Sequence, residues 1–252
     1  MRKQLYWLSD SEWKRLEPLL PRGRRGAHRV DDRRVISGIV HMLRSGARWR
    51  DCPPEYGPYT TIYNRFNRWS RQGLWFAIFE ALTGSTGVIS SAAIDSSHIK
   101  AHRSAAGGKG AFREAIGRSR GGRTTKIHAL TDAEGRPRVL LLSPGNINDI
   151  AMAPALLASA APIGRLIADK AYDANSLRQL LAAQATRAVI PSTASRSRPI
   201  RYSKAAYRQR NLIERMFARL KDFRRIATRY DKLARNFLAG ALLAATVIWW
   251  LN

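Results

Sequence analysis

Trp13, Leu16 and Leu19 recur every three residues behind Ser9 and Asp10, and Pro21 follows them. That spacing predicts a short amphipathic helix, capped by Ser9 or Asp10 and stopped at Pro21. Arg22-Gly-Arg-Arg-Gly26 reads as a basic linker. A second helix is expected after Asp31, with Val35, Ile36, Ile39, Val40 and Leu43 on its apolar face and Gly46 at its end. Cys52-Pro-Pro-Glu-Tyr-Gly-Pro58 has the composition of a turn. A third helix opens at Thr60 or Thr61. It turns Tyr63, Phe66 and Trp69 toward a core and Asn64, Arg65, Arg68 and Arg71 outward. Two helices and a tight turn before a basic, Asn/Arg-rich helix have the layout of a helix-turn-helix DNA reader, although a charged face can also be merely solvated.

The pattern changes after about Leu82. Thr83-Gly-Ser-Thr-Gly87 is a polar hinge, and Val88 to Ile94 is an apolar strand ending at Asp95. Residues 103–125, rich in Gly, Arg and Ser, read as a mobile basic loop. Thr125–Thr131 and Val139–Ser143 are expected strands joined by a hairpin turn at Asp132-Ala-Glu-Gly135. A helix near Ala151–Ser159 follows, then a short strand Leu166–Ala168 ending at Asp169. A helix Asn175–Gln184, a strand Ala188–Pro191 and helical sequence from about Lys204 complete an α/β order with a mixed sheet.

Charge narrows the possible partners. The chain has 252 residues, 45% of them apolar, enough for a buried core. Its 44 Lys and Arg against 18 Asp and Glu leave a net charge of +26, which suits a polyanion. Membrane is the weaker of the two polyanions. The best apolar run, Phe237–Leu251, would make a helix of about 22 Å, short of a bilayer core of about 30 Å, and its Ala-rich body reads as a core helix. The opening residues Met1–Asp10 lack the apolar stretch of a secretory signal. Cys52 is the single cysteine, so neither an internal disulfide nor a Cys-based zinc site can form. Together these suggest a reduced, cytoplasmic, nucleic-acid-binding protein.

Asp95 and Asp169 both stand where an apolar strand stops, and neighbouring strand ends form the crevice of open α/β sheets. Alone, either Asp could be an ordinary helix cap or turn residue. If close together, two carboxylates resist ionising unless a cation joins them, and hard divalent ions favour oxygen ligands. A third acid comes from the segment Tyr207 to Lys221. At helical spacing Tyr207, Arg210, Glu214 and Lys221 share an arc of about 60°, while Leu212, Met216, Leu220 and Phe223 lie opposite. The same spacing allows a plain Arg210–Glu214 surface pair. From Arg196 to Lys232 there are 13 Lys and Arg against 3 acids. Lys100 and Arg103 are candidate phosphate contacts. His98 and His102 lack the further ligands a zinc site needs; Asp149 is either a fourth acid near the site or, as preferred, a helix cap, and Asp173 reads as the cap of the following helix.

The spacing Tyr207-x2-Arg210-x3-Glu214-x6-Lys221 resembles the Y-R-E-K motif of bacterial insertion-sequence transposases of the DDE class, in the group named after insertion sequence five. Trp49–Pro58 and Thr61–Trp69 are similar to that group's N-terminal helical domain. Ile94–Arg103, Ile167–Asp173 and Glu214–Lys232 look like the segments around its three acids, with Ala171 standing where many relatives have Gly.

The resemblance implies a ribonuclease-H-like catalytic domain at 88–252, behind a helix-turn-helix-like domain at 1–82 and the hinge 83–87. It implies two Mg²⁺ ions, replaceable by Mn²⁺, held by Asp95, Asp169 and Glu214. Arg210 and Lys221 would contact phosphates and Tyr207 a base or sugar. The expected reaction is hydrolytic cutting at terminal inverted repeats, then joining of the freed 3′-OH to target DNA. Pairing two ends calls for a homodimer, and a bacterial transposase would work at the nucleoid. Two competing classes remain open on sequence alone: an inactive descendant that regulates by binding, and a recombinase using Tyr207 as a nucleophile.

Overall fold

Ser9 begins the first helix of the computed structural model, which describes residues 4–21, 31–84, 87–106, 110 and 114–251. The basic linker 22–26 and hinge residues 85 and 86 lie outside the described residues. Within α1 (Asp10–Leu16), Ser9 and Glu12 form a reciprocal capping box, with the Ser9 N–H donating to Glu12 at 2.7 Å. Asp31 caps α2 (Asp32–Ser45) by accepting from the Arg33 and Arg34 N–H groups. Gly46 closes it in the left-handed region, at φ 72°. Helix α3 spans Tyr59–Arg71 and α4 spans Leu74–Thr83.

The chain divides into two units. One comprises Met1–Gly84, His102–Ala105 and Leu220–Asn252; the other comprises Ser85–Ala101 and Ala106–Arg219. In the first, Val35, Ile36, Ile39, Ile62, Phe66 and Trp75 are buried together with Phe237 and Leu242.

The second unit is built on a mixed sheet. Its strands are β1 (Ala92–Ala101), β2 (Gly117–Ser119), β3 (Gly122–Thr131), β4 (Pro137–Pro144), β5 (Arg165–Ile167) and β6 (Arg187–Val189). Antiparallel β3 joins β1 on one edge and both β2 and β4 on the other. Parallel pairing then carries the sheet from β1 to β5 and on to β6. The β3–β4 turn falls at Asp132–Gly135 as its composition predicts, with Gly135 at φ 76°. Part of the segment expected as a loop is ordered: β2 pairs with β3, and Arg103–Ala106 makes one helical turn.

Helices α5 (Ala153–Ala158) and α6 (Asn175–Ala183) cover one face, where Leu156, Leu157, Leu177 and Leu181 pack with Ile94, Leu130 and Leu166. Helix α7 spans Asn211–Lys221 and buries Ile213, Met216, Phe217 and Leu220. That stripe differs from the expected one by replacing Leu212, which is half-buried, with Ile213 and Phe217. A one-turn helix Lys204–Tyr207 and a 3₁₀ turn Arg208–Arg210 precede α7, so the Tyr207–Lys221 arc is not one continuous α-helix.

The last α-helix, α8 (Ala234–Ala245), is almost wholly buried and packs on α2, α3 and α4, as expected of a core helix; a π-helical turn Thr246–Trp250 continues it. No helix among the described residues is long and apolar enough to cross a membrane.

Candidate active site

Asp95 lies within β1 rather than at its end, because β1 continues to pair with β3 through Lys100. Asp169 lies two residues past the end of β5. The parallel register sets Ala93 opposite Ile167, so the two acids lie the same two residues beyond one matched pair of neighbouring strands. The Asp169 carboxylate also accepts from the Ala171 N–H at 2.9 Å, capping the 3₁₀ turn after the strand.

Arg210 ties Asp95 to Glu214. Its Nη2 donates to Asp95 Oδ2 at 2.9 Å and its Nη1 to Glu214 Oε1 at 2.6 Å. The four-residue spacing thus gives the expected pair, and the fold adds a carboxylate from a different strand. Burial pushes the Asp95 carboxyl up. The Ser96 N–H at 2.8 Å and Arg210 pull it down, whereas Asp169 and Asp149 push it up again. Burial disfavours charge on Arg210, but Asp95 and Glu214 outweigh it and its pKa is raised. The Arg210 Nε remains buried without a partner.

Tyr207 is half-buried, edge-on to Tyr202 with ring centroids 5.5 Å apart. Burial raises its phenol above the usual range, so it stays protonated. Lys221 ends α7 and is counted with the helical unit, and burial lowers its pKa. Lys100 is exposed on β1, while Arg103 belongs to the helical unit.

On the other face of β1, strand alternation puts Ser96 with His128 and His98 with Lys126. Asp149 is not the helix cap the sequence suggested. Its Oδ1 accepts from Ser96 Oγ at 2.6 Å and from Lys126 Nζ at 2.8 Å. Burial would raise this carboxyl, but the Lys126 and Ser96 hydrogen bonds prevail and lower it. His128 Nε2 lies 2.7 Å from Ser143 Oγ, and burial depresses the imidazole to about 4. Tyr172, also unanticipated, has a buried hydroxyl without a partner, which burial and the charges of Asp149, Asp95 and Asp169 push up. One signal for this cluster was available in the sequence: Lys126 and His128 are polar residues two apart in an apolar strand.

Asp173 is likewise no cap. Its carboxylate is fully buried and binds Arg178 at 2.9 Å, Arg196 at 2.7 Å and the Thr193 N–H at 2.8 Å. Those bonds overcome burial and hold it far below the usual carboxylate range.

In the helical unit, Asn64 and Arg68 are exposed on α3. Arg65 differs from expectation: it is buried, paired with Asp32, and its guanidinium lies 4.9 Å from the Trp69 ring centroid. Tyr63, expected inward, is 36% exposed.

Residues 87–249, which hold this arrangement, match the family model of the transposase DDE domain. The chain belongs to the DDE transposases of insertion sequences. Residues 8–79 of the transposase match a model for transposases of the IS4/5 family. A transposase-named protein of insertion sequence element IS6501 from Brucella ovis is 38% identical over 127 residues, covering 50% of this chain and 98% of that protein. Protein y4sN of Sinorhizobium fredii is 31% identical, over 46% of this chain and 87% of its own length. A 16.2 kDa protein of insertion element IS402 from Burkholderia cepacia is 36% identical, over 37% and 73%. The transposase is thus a nuclease and strand transferase, of a domain family that uses divalent metal ions. Among the described residues, no three His, Cys, Asp or Glu side chains are grouped to hold a metal.

Proposed function

We propose that this transposase binds the terminal inverted repeats of an insertion sequence, cuts them hydrolytically and joins the 3′-OH ends to target DNA, using Asp95, Asp169 and Glu214. The observation that carries this reading is the Arg210 bridge between Asp95 and Glu214, beside a register that sets Asp169 just past the end of the adjoining strand. The sheet order supports a ribonuclease-H-like unit. The family matches at 8–79 and 87–249 support dividing the chain into a DNA reader at 1–82, a hinge at 83–87 and a catalytic region at 88–252, of which residues 102–105 and 220–252 pack with the helical unit. Helix α3 would then read DNA in helix-turn-helix fashion.

The donor chemistry fits a pair of hard divalent ions, for which we propose Mg²⁺, with Mn²⁺ as a substitute. Asp95, Asp169 and Glu214 offer only carboxylate oxygens, and the Asp95 carboxyl is raised even with Arg210 beside it. Burial is the main cause of that rise, with Asp169 and Asp149 adding to it, so a bound cation would ease the charging of Asp95. When bound, two such ions supply activation of the attacking oxygen and stabilisation of the leaving one.

The remaining roles belong to the chain. Arg210 holds Asp95 and Glu214 together, and its partly exposed guanidinium is proposed to meet a phosphate oxygen. Lys221 supplies a phosphate contact. Tyr207, kept protonated, positions a sugar or base, so water and then the 3′-OH are the nucleophiles. Lys100, Arg103, Asn64 and Arg68 contact the backbone or bases, and Arg65 supports α3 from inside. Two ends require two active sites, so the working form is a homodimer at the bacterial nucleoid.

Nicking of DNA carrying the element's ends tests this reading. Asp95→Asn, Asp169→Asn and Glu214→Gln should each abolish nicking and leave end binding within about twofold. Near-normal nicking by any one of them overturns the assignment.

A further inference from the structure

We propose that the helical unit carries a pocket for a single unstacked nucleobase, walled by Trp49, Tyr59, Tyr63 and Tyr230. The pocket goes beyond the chemistry assigned above and uses none of its acids. It has a volume of about 310 Å³, at the lower end of small-molecule sites, and is also lined by Lys232, Asn236 and the Arg225–Asp231 pair. The Arg225 guanidinium lies 5.1 Å from the Trp49 ring centroid and 5.5 Å from that of Tyr230, which leaves Tyr59 and Tyr63 as the open stacking faces.

Tyr59 and Tyr63 are one helical turn apart on α3 and expose 47% and 36% of their surface, although burial favours large rings. The Tyr63 ring centroid lies 5.5 Å from that of Trp49. Flat rings that stay open to solvent in a cationic protein are stacking platforms. The wall also holds unsatisfied polar atoms. The Trp49 indole N–H has no acceptor, and the Oδ1 of Asn236, a residue only 3% exposed, has no donor. Both atoms are buried behind the wall, so a base edge, which carries both complements, reaches them only if the side chains turn toward it. Exposed Lys232 suits the phosphate attached to such a base.

Bases paired in a duplex cannot offer their faces, so the occupant must be unstacked. A nuclease and strand transferase makes such bases available, because each cut frees a strand end. On the same helix, Asn64 and Arg68 are exposed for duplex contact. The pocket therefore holds the frayed or freed strand beside the bound duplex.

The test titrates full-length protein, without divalent metal, with a mixed-sequence single strand of about 12 nucleotides and with the same strand annealed to its complement. Changing Tyr59 and Tyr63 together to Ala should weaken single-strand binding by about tenfold or more, with duplex affinity within about twofold. The corresponding Tyr→Phe pair should keep both affinities. A strand carrying a fluorescent purine analogue should be quenched by the wild type and by the Phe pair, a readout that does not depend on the Ala variant folding. Unchanged single-strand affinity, equal loss on both DNA forms or an unquenched analogue overturns the pocket. Failure of the acid triad would appear only in metal-dependent nicking.

Discussion

The Arg210 guanidinium donates to the Asp95 carboxylate at 2.9 Å, joining residues 115 positions apart in sequence. The same side chain holds Glu214, so a single cation fixes two of the three acids proposed for catalysis. Arg210→Gln should reduce nicking by about 10²–10³, leaving Asp95 harder to ionise and Glu214 free to rotate. Arg210→Lys keeps the charge but not the two-pronged geometry, and should recover only part of that loss. Full activity in Arg210→Gln would dissociate this pair from the chemistry.

Lys126 and Asp149 form a mostly buried ion pair behind β1. Asp149→Ala leaves Lys126 unpaired and Ser96 without its acceptor, and should cost about 3 kcal/mol in a denaturant titration. Lys126→Met combined with Asp149→Leu should cost less than Asp149→Ala alone, because no buried charge remains. A double variant weaker than the single one would contradict that account.

His128 makes stability depend on acid. Burial lowers its pKa from 6.5 to about 4, so the fold accommodates the neutral ring. Its contribution is complete above pH 6.5 and is lost as the pH falls toward 4, by about 3 kcal/mol at the lower end. His128→Gln should flatten that acid limb in thermal melts across the window. An unaltered limb would assign it to other groups.

Neighbouring arginines on α3 should behave in opposite ways. Arg68 is exposed, so Arg68→Ala should leave the melting temperature unchanged and lower the salt slope of DNA binding by about 1. Arg65 is buried against Asp32, so Arg65→Ala should cost about 3 kcal/mol of stability. DNA binding corrected for folded fraction should then be close to wild type. A changed salt slope for Arg65→Ala would return it to the interface.

Local signals in the sequence were reliable where a short stretch decides the outcome. Ser9, Asp31 and Gly46 act at helix ends through their own side chains or backbone freedom. The β3–β4 turn forms from four residues whose carboxylate and glycine suit it. Polar residues with distant partners were read less well. Arg65 has the sequence appearance of a surface cation, and Asp32, 33 positions away, pairs with it and makes burial tolerable. Asp149 and Asp173 looked like caps because nothing nearby in sequence reveals Lys126, Ser96 or Arg196.

By itself the sequence determined the family, through the Tyr207–Lys221 spacing together with the segments around Trp49, Asp95 and Asp169, and the order of helices and strands, through apolar periodicity. Both are properties of neighbours along one chain. Tertiary structure decided that Arg210 faces Asp95, that β1 runs on past its acid, and that α8 packs on α2, α3 and α4. Those outcomes depend on which surfaces meet after the strands pair, and no local pattern encodes the partner of a charge or of an apolar face.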